Sequence, residues 1–453
     1  MSAPDDTRPG RLHIVNSGVL VGMLAVSLLL VMWGVILAPW LGAREDNPRL
    51  VEAELRILRG TIWDNNNAPV AETVGPEEAR QRVYPEPAIG PAVGYYSFRH
   101  GTAGVEEGYD AVLRGDTTDF WTTLRRELLN EPQTGRDIRL TLDTNWQRVA
   151  DTVLGEESGA VVLLTIPDGA IRAMASHPGF DPNQLDEMFD ALVADARSPL
   201  LNRAAQNQYQ PGMALQPLLV AAALDAGLIR LDETVLDVTR PVTVGPQQVT
   251  CVTEPPDPAT WADVLAHGCP GPMLALGERL GPAGLDDLFA AFGLTRSPSL
   301  PINTEVPPVQ NVADAALASI GQENLVVTPL QMALALAVLA NSGAGLPPQL
   351  VTGVVNESGT WDSVAAPMAG PQVVAAGPAG QVLAVLPGRD GAVQEFAALA
   401  VSGLAGEDIG WYLGVAPAGV PRYVVVVVLE NSQEVGQAQR TGRALLDYLL
   451  SAR

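Results

Sequence analysis

An uncharged apolar run near the start of the chain is its most constraining feature. No Asp, Glu, Lys or Arg occurs between Ile14 and Ala43, and about 20 apolar residues are enough for a helix to cross a bilayer. We therefore expect a membrane-spanning helix at 14–43, preceded by a tail at 1–13. A cleaved signal peptide is the alternative, although the apolar core of such a peptide is shorter, at about 7–15 residues.

The residues that flank this run indicate its orientation. Arg8 and Arg11 precede it, whereas one arginine and two acidic residues follow it at 44–46. Positive charge favours the cytoplasmic side, so we expect a cytoplasmic N-terminus, a single span in the cell membrane and an extracytoplasmic remainder. Gly18 and Gly22 form a Gly-x-x-x-Gly pair, a pattern that lets a second helix approach closely.

The charged residues exclude one class of partner and one class of mechanism. Among the 453 residues, 51 are Asp or Glu and 27 are Lys or Arg, which gives a formal net charge of −24. This balance disfavours binding to phosphate backbones, so no nucleic-acid partner is expected. All 27 basic residues are arginine. Because guanidinium does not lose its proton in proteins, the chain has no side chain that can act as a lysine base or Schiff-base amine.

The chain has two cysteines, Cys251 and Cys269, both in the part placed outside the membrane. Their closeness and their compartment favour a disulfide, with two free thiols as the alternative. A zinc site is poorly supported because His267 is the one histidine nearby. We expect no metal and no cofactor.

Strand patterns lie towards both ends of the outer part, with helical patterns between them. Residues 159–165 and 170–174 are typical of a hairpin with a Pro-Asp-Gly turn. Residues 411–415 and 423–429 are typical of buried strands. Thr328, followed by proline, marks the start of a helix. These patterns predict an α+β fold whose sheet brings distant segments together.

A change of pattern near Gly135 indicates a domain boundary. Residues 47–132 are short of long apolar runs and include an Asn-rich turn region, whereas 137–142 alternates as a half-exposed strand. We therefore predict an irregular, strand-rich domain at 44–135 and a larger α+β domain at 136–453.

A series of short motifs resembles the class B penicillin-binding proteins, the membrane-anchored transpeptidases that cross-link peptidoglycan. In chain order they include Arg59-Gly60-Thr61-Ile62, Leu140-Thr141-Leu142-Asp143, Ala175-Ser176-His177-Pro178, Ile320-Gly321-Gln322 and Thr328-Pro329-Leu330-Gln331-Met332. The resemblance implies a pedestal domain followed by a transpeptidase domain, which is mainly an antiparallel sheet flanked by helices. It also implies partners: peptidoglycan, a polytopic glycan polymerase or a catalytic penicillin-binding protein.

The resemblance also assigns positions to the catalytic groups of the family. A serine is acylated by the D-Ala-D-Ala carbonyl, and a lysine three residues later takes its proton. These two residues follow an Asn-Arg-Ala and a Tyr-x-Pro-Gly, found here at 202–204 and 209–212. The corresponding residues are Met213 and Gln216. Neither a thioether nor an amide can perform those steps.

Two further family motifs are assigned in the same way. Ser-x-Asn corresponds to Gly268-Cys269-Pro270, and Lys-Thr-Gly corresponds to Val401-Ser402-Gly403. The resemblance thus predicts that the proton-shuttling groups and the cation for the peptide carboxylate are missing. The middle residue of the second motif points away from the reaction in the family, so Cys269 is not expected to replace the nucleophile.

Two serines are placed where a different catalyst could arise. Ser176 stands beside His177, and Ser402 falls on the strand that is predicted to line the cleft. A Ser-His pair needs a third group that orients the histidine, and the sequence offers none. We expect Ser176 to cap a turn and Ser402 to be a polar lining residue.

The predicted function is a membrane-anchored, non-catalytic scaffold or regulator of peptidoglycan synthesis or cell division. One alternative is a noncovalent binder of muropeptides or β-lactams, in which Met213 protrudes into the cleft and weakens affinity. Another is an active D,D-transpeptidase whose nucleophile has not been recognised.

Overall fold

The computed structural model describes residues 8–33, 54, 56–76, 80–116, 120–129, 131–305, 311–365, 368–389, 391–401 and 408–451. The chain divides into two compact units. One comprises residues 1–57 and 75–80, and the other comprises residues 58–74 and 81–453.

The first unit contains helix α1, Arg8–Val31. Its part Ile14–Val31 has a mean hydropathy of 2.3 and is long and apolar enough to cross a membrane. An apolar helix of this kind near an N-terminus is also compatible with a signal sequence. Residues 34–43 of the predicted span lie outside the described residues.

The second unit is built from both strands and helices. Its described strands are β1 Ile62–Trp63, β2 Pro69–Val74, β3 Gln81–Val83, β4 Gly94–Ser97, β5 Gly101–Gly104, β6 Ile138–Leu140, β7 Gly159–Thr165, β8 Ile171–His177, β9 Thr234–Val235, β10 Val242–Val244, β11 Gln247–Val249, β12 Ala259–Thr260, β13 Val351–Val355, β14 Trp361–Ser363, β15 Gly388–Arg389, β16 Val393–Ala400, β17 Ile409–Ala416 and β18 Tyr423–Leu429. Its described α-helices are α2 Gly90–Val93, α3 Val105–Gly108, α4 Asp110–Arg114, α5 Phe120–Leu129, α6 Thr144–Leu154, α7 Leu185–Ala194, α8 Gln216–Asp225, α9 Trp261–Ala266, α10 Gly271–Ala291, α11 Ala315–Ser319, α12 Pro329–Ala340, α13 Ala376–Val385 and α14 Val435–Ser451.

The main sheet has the order β15-β16-β17-β18-β7-β8, and all of its neighbouring strands are antiparallel. Strand β18 carries five consecutive valines and is buried from Val424 to Leu429, as expected for β-branched residues on a strand covered on both faces. Helices α6 and α14 pack on one face and α12 on the other. The α+β prediction is confirmed, and so are the hairpin β7–β8 and the two strands near the C-terminus.

Helix α12 begins where the sequence predicts. Thr328 is its N-cap and accepts a hydrogen bond from the Gln331 backbone N–H, while the Gln331 side chain accepts from the Thr328 N–H. This reciprocal capping box satisfies two backbone donors that the first turn leaves free.

A second sheet joins segments that are distant in the chain, in the order β14-β13-β6-β1-β2-β3. Ile62 of β1 pairs with Ile138 of β6 in parallel, and Leu140 of β6 pairs with Val351 of β13 in antiparallel fashion. The sheet therefore contains strands from both sides of the boundary predicted near Gly135.

A buried ion cluster holds the region around α3. Glu106 is fully buried and accepts hydrogen bonds from Arg59 Nη2 at 2.8 Å, Arg82 Nε at 2.7 Å and the Tyr84 hydroxyl at 3.1 Å. Burial alone would raise the pKa of Glu106, but the charges of Arg82 and Arg59 and their hydrogen bonds hold that pKa below its ordinary value. Burial raises the pKa of Tyr84 well above its ordinary value, and the Glu106 charge adds to this effect. Glu106 is therefore a carboxylate at neutral pH.

Candidate functional site

The position assigned to the family nucleophile lies in a tightly packed turn. A 3-10 helix, Gly212–Leu215, leads directly into α8. Gly212 has φ 53°, and a Cβ placed on it would lie 2.5 Å from Ala400 Cβ of β16. Glycine is needed here because of both the left-handed backbone and the close approach. The adjacent Met213 is 3% exposed and belongs to the main hydrophobic core, so the expectation that it protrudes into a cleft is wrong.

The residue at the position assigned to the family lysine, Gln216, links two segments of the chain through hydrogen bonds. Gln216 is fully buried, and its Nε2 donates to the backbone carbonyls of Val264 at 3.1 Å and Cys269 at 3.4 Å. Its Oε1 has no hydrogen-bond partner within the described part of the chain. The side chain thus connects the start of α8 to the segment assigned to the second motif and offers no group that can accept a proton at neutral pH.

The first position of the second motif ends a helix. Gly268 follows α9 with φ 59°, and its N–H donates to the Leu265 carbonyl. A Cβ added to Gly268 would lie 2.8 Å from Val252 Cγ2. Glycine suits this helix-terminating position because a residue with a Cβ adopts the left-handed backbone conformation only at a cost in free energy. A serine would also need Val252 to move.

Residues 251–253 cover the second motif. Val252 N–H donates to the His267 carbonyl at 2.9 Å, and Thr253 Oγ1 lies 2.7 Å from His267 Nδ1. Cys251 and Cys269 form a disulfide. The Cys269 sulfur is therefore bonded and not available as a nucleophile.

The disulfide gives a testable stability effect. It joins residues 18 positions apart, and closing a loop of this size stabilises a fold by about 3 kcal/mol in the chain-entropy model. We expect the double variant Cys251→Ser/Cys269→Ala to lose about 2–4 kcal/mol of unfolding free energy in chemical denaturation. Reductant should produce a similar loss in the native sequence and none in the double variant. An equal response of both proteins to reductant would contradict this prediction.

The third motif position is fixed through its backbone. With its side-chain amide assigned the orientation that satisfies both contacts, Gln322 of the Ile320-Gly321-Gln322 motif donates to the Val401 carbonyl at 2.9 Å and accepts from the Val401 N–H at 3.0 Å. Val401 follows β16 and is 6% exposed. Ser402 and Gly403 lie outside the described residues. The Gln322 amide thus extends the pairing of this segment by one residue beyond the end of β16.

Glu430 is a site residue that was not predicted from the sequence. It follows β18, and one of its oxygens accepts from Arg203 Nε at 3.0 Å, Asn207 Nδ2 at 3.1 Å and the Tyr209 hydroxyl at 2.8 Å. Burial, followed by the charge of Glu430, raises the pKa of the Tyr209 phenol. Glu430 therefore holds the Asn-Arg-Ala and Tyr-x-Pro-Gly segments against the main sheet. An acidic residue directly after the apolar run 424–429 was the available signal.

Ser176 has a structural role in the described chain. It is buried on β8, its hydroxyl donates to the Leu201 carbonyl at 3.1 Å, and its oxygen accepts from the Arg203 N–H at 2.9 Å. His177 is the next residue along the strand, where successive side chains point to opposite faces. The serine thus binds the backbone on both sides of Asn202, at the start of the Asn-Arg-Ala segment.

Two family models match the chain. The model of the penicillin binding protein transpeptidase domain matches residues 159–447, and that of the penicillin binding protein A dimerisation domain matches residues 59–138. The first match contains the main sheet and all the motif positions described above.

Curated relatives and solved structures agree with these matches. The chain is 30% identical over 416 residues to the peptidoglycan D,D-transpeptidase PbpA of Mycolicibacterium smegmatis, covering 80% of this chain and 81% of that protein. It is 29% identical to PbpA of Mycobacterium tuberculosis, with 94% of this chain and 95% of that protein covered. The structure of M. tuberculosis penicillin-binding protein A as an imipenem acyl-enzyme superposes with a TM-score of 0.78 at 25% identity, covering 88% of this chain and 99% of that one. The D,D-transpeptidase domain of an Eggerthella lenta peptidoglycan glycosyltransferase gives a TM-score of 0.75 at 26% identity, with 88% and 99% covered.

Proposed function

This chain belongs to the penicillin-binding protein transpeptidase family, and on that premise we propose that it serves peptidoglycan synthesis as a membrane-anchored scaffold that forms no acyl-enzyme. The observation that carries the proposal is the side-chain chemistry at the start of α8. A buried thioether, Met213, and a buried amide, Gln216, stand where the resemblance assigns the nucleophile and its base. Acyl transfer requires an activated nucleophile.

The surroundings of these two residues support the proposal further. Gln216 binds two backbone carbonyls, and Val252 occupies the space next to Gly268 that a serine would need. The framework around them is nevertheless complete, since Glu430 and Gln322 still fix the neighbouring segments. A retained fold with altered chemistry favours a function in which the chain binds other proteins, because fold alone does not determine activity.

The proposed partner is a catalytic penicillin-binding protein or a polytopic glycan polymerase in the same membrane. Helix α1 would anchor the chain, with the outer part on the extracytoplasmic side. Gly18 and Gly22 lie one turn apart on α1, and apart from the adjacent residues and the nearby backbone of that helix no described atom lies within 4 Å of their Cβ positions. This small-residue pair could accept a second transmembrane helix. The match to a dimerisation domain at 59–138 supports contacts through the pedestal as well.

The first test is acylation by a β-lactam. The full chain is incubated with penicillin G and its intact mass is measured. The positive control is M. tuberculosis penicillin-binding protein A, which has been solved as a penicillin G acyl-enzyme complex. We expect a stoichiometric adduct on the control and an unchanged mass for this chain, because it has no lysine base and no serine at 213. An adduct on the folded chain would contradict the proposal, and peptide mapping would then locate the nucleophile, starting with Ser402 and Ser176.

The second test addresses the scaffold role. The full chain is cross-linked in its native membranes and purified beside a Gly18→Ile/Gly22→Ile variant. We expect a catalytic penicillin-binding protein or a glycan polymerase with the native chain and clearly less with the variant, since bulky residues prevent close helix approach. Recovery of neither class of wall-synthesis protein would refute the scaffold.

A further inference from the structure

A cavity away from the three motif positions has the size and lining of a ligand site. It lies between the end of α10, the middle of α12 and two loops at 345–348 and 370–373, with a volume of about 420 Å³. Small-molecule sites typically enclose about 300–1,000 Å³ and are lined by apolar groups with few polar ones. The lining here includes Phe292, Leu334, Val338, Pro347 and Pro371, together with Arg296, whose Nε lies 3.7 Å from the Cβ position of Gly293, another lining residue.

The cavity walls are held in place by hydrogen bonds. Gly345 N–H donates to the Pro371 carbonyl at 2.9 Å, and Gly370 N–H donates to the Gly345 carbonyl at 2.8 Å, so the two loops are paired. Gln331 Nε2 donates to the Leu294 carbonyl at 3.2 Å and to the Arg296 carbonyl at 2.9 Å, which fixes the segment that carries the arginine. A preformed site avoids the cost of ordering loops when a ligand binds.

Arg296 supplies a cation at the edge of this apolar space. Its side chain is exposed and has no ion-pair or hydrogen-bond partner among the described residues. By contrast, Arg230, on another part of the surface, is already bonded to Asp232 by two nitrogens. The planar guanidinium of Arg296 is therefore available for a two-point contact with a carboxylate.

We propose that this cavity binds a small molecule with an apolar body and one carboxylate. The body packs on Phe292, Leu334 and Val338, and the carboxylate pairs with Arg296. The site does not depend on the scaffold role, because its lining residues are separate from 213, 216, 268–270 and 401–403.

The test uses the full chain in lipid nanodiscs and a matched pair of probes, 4-fluorophenylacetate and its neutral amide. Binding of each probe is measured by the broadening of its fluorine NMR line. Empty nanodiscs give the background from the lipid. We expect saturable broadening for the acid and binding of the amide that is weaker by about threefold to fivefold, since solvent screens an ion pair at an exposed arginine.

Two variants assign the binding to this cavity. Arg296→Gln should weaken acid binding by about threefold to fivefold and leave the amide unchanged. Leu334→Phe should weaken both probes by filling the apolar space. Arg440→Gln, an exposed arginine that pairs with Glu434 elsewhere, is the matched control and should change neither. Equal binding of acid and amide, no saturable binding, or an unaltered Arg296→Gln variant would overturn the proposal.

Discussion

Replacing Glu106 by alanine is expected to lower the free energy of unfolding by about 3–5 kcal/mol. The change removes the carboxylate shared by Arg59 and Arg82, whose side chains are both 3% exposed. Removing one partner of a buried ion cluster leaves the others charged and without compensation, which costs more than the intact pair contributes. Denaturant titration of the full chain, followed by tryptophan fluorescence, measures the effect.

The neighbouring residue provides a matched control. Glu107 is exposed, so Glu107→Ala should change stability by about 0.5 kcal/mol or less. Glu106→Gln keeps the shape but loses the charge, and it should fall between the native chain and Glu106→Ala. A loss below about 1 kcal/mol in Glu106→Ala would mean that the two arginines reach solvent when the carboxylate is absent.

The same cluster predicts a dependence on acid. The pKa of Glu106 is lowered in the folded chain relative to about 4.3 in unfolded chains. Its contribution to stability is therefore complete above the unfolded pKa and is lost as the pH falls through the folded pKa. The native chain should lose stability more steeply than Glu106→Gln when both are titrated below about pH 4.3. Parallel curves would contradict this prediction.

The second large effect is expected for Gln216→Lys, which restores the lysine that the family uses. The new ammonium would be fully buried beside the Val264 and Cys269 carbonyls, which accept hydrogen bonds from Gln216 in the native chain. Burial disfavours the charged form, so the folded pKa of this lysine should fall below its ordinary 10.4 or so. We expect a loss of about 3–5 kcal/mol at pH 7.

The pH dependence distinguishes this cause from a packing defect. Because the folded chain favours the neutral amine, the variant should regain stability as the pH rises from the folded pKa towards about 10.4. Gln216→Met has no titratable group, and its smaller loss of about 1–2 kcal/mol should not follow pH in this way. A Gln216→Lys variant as stable as the native chain at pH 7 would show that water reaches position 216.

The local elements could be predicted from the sequence because their signals are local. The hairpin around Pro167-Asp168-Gly169 and the Thr328 cap each depend on a few adjacent residues. Glu430 binds Tyr209 from 221 positions away, and Gln322 binds the Val401 backbone across 79 positions. No periodicity in the sequence encodes such pairings. The burial of Met213 was missed for the same reason, since it depends on how closely Gly212 packs against β16.

The position of β18 determines when the main sheet can be completed during synthesis. This strand lies between β17 and β7, yet it occupies Tyr423–Leu429, close to the C-terminus. Until those residues leave the ribosome, β7 and β17 each have an unpaired edge, and β7 is made more than 250 residues before its partner. At about 5–20 residues per second this interval lasts roughly 13–50 s. The growing chain thus exposes a row of free backbone groups on an apolar strand for most of its synthesis, and such edges promote aggregation.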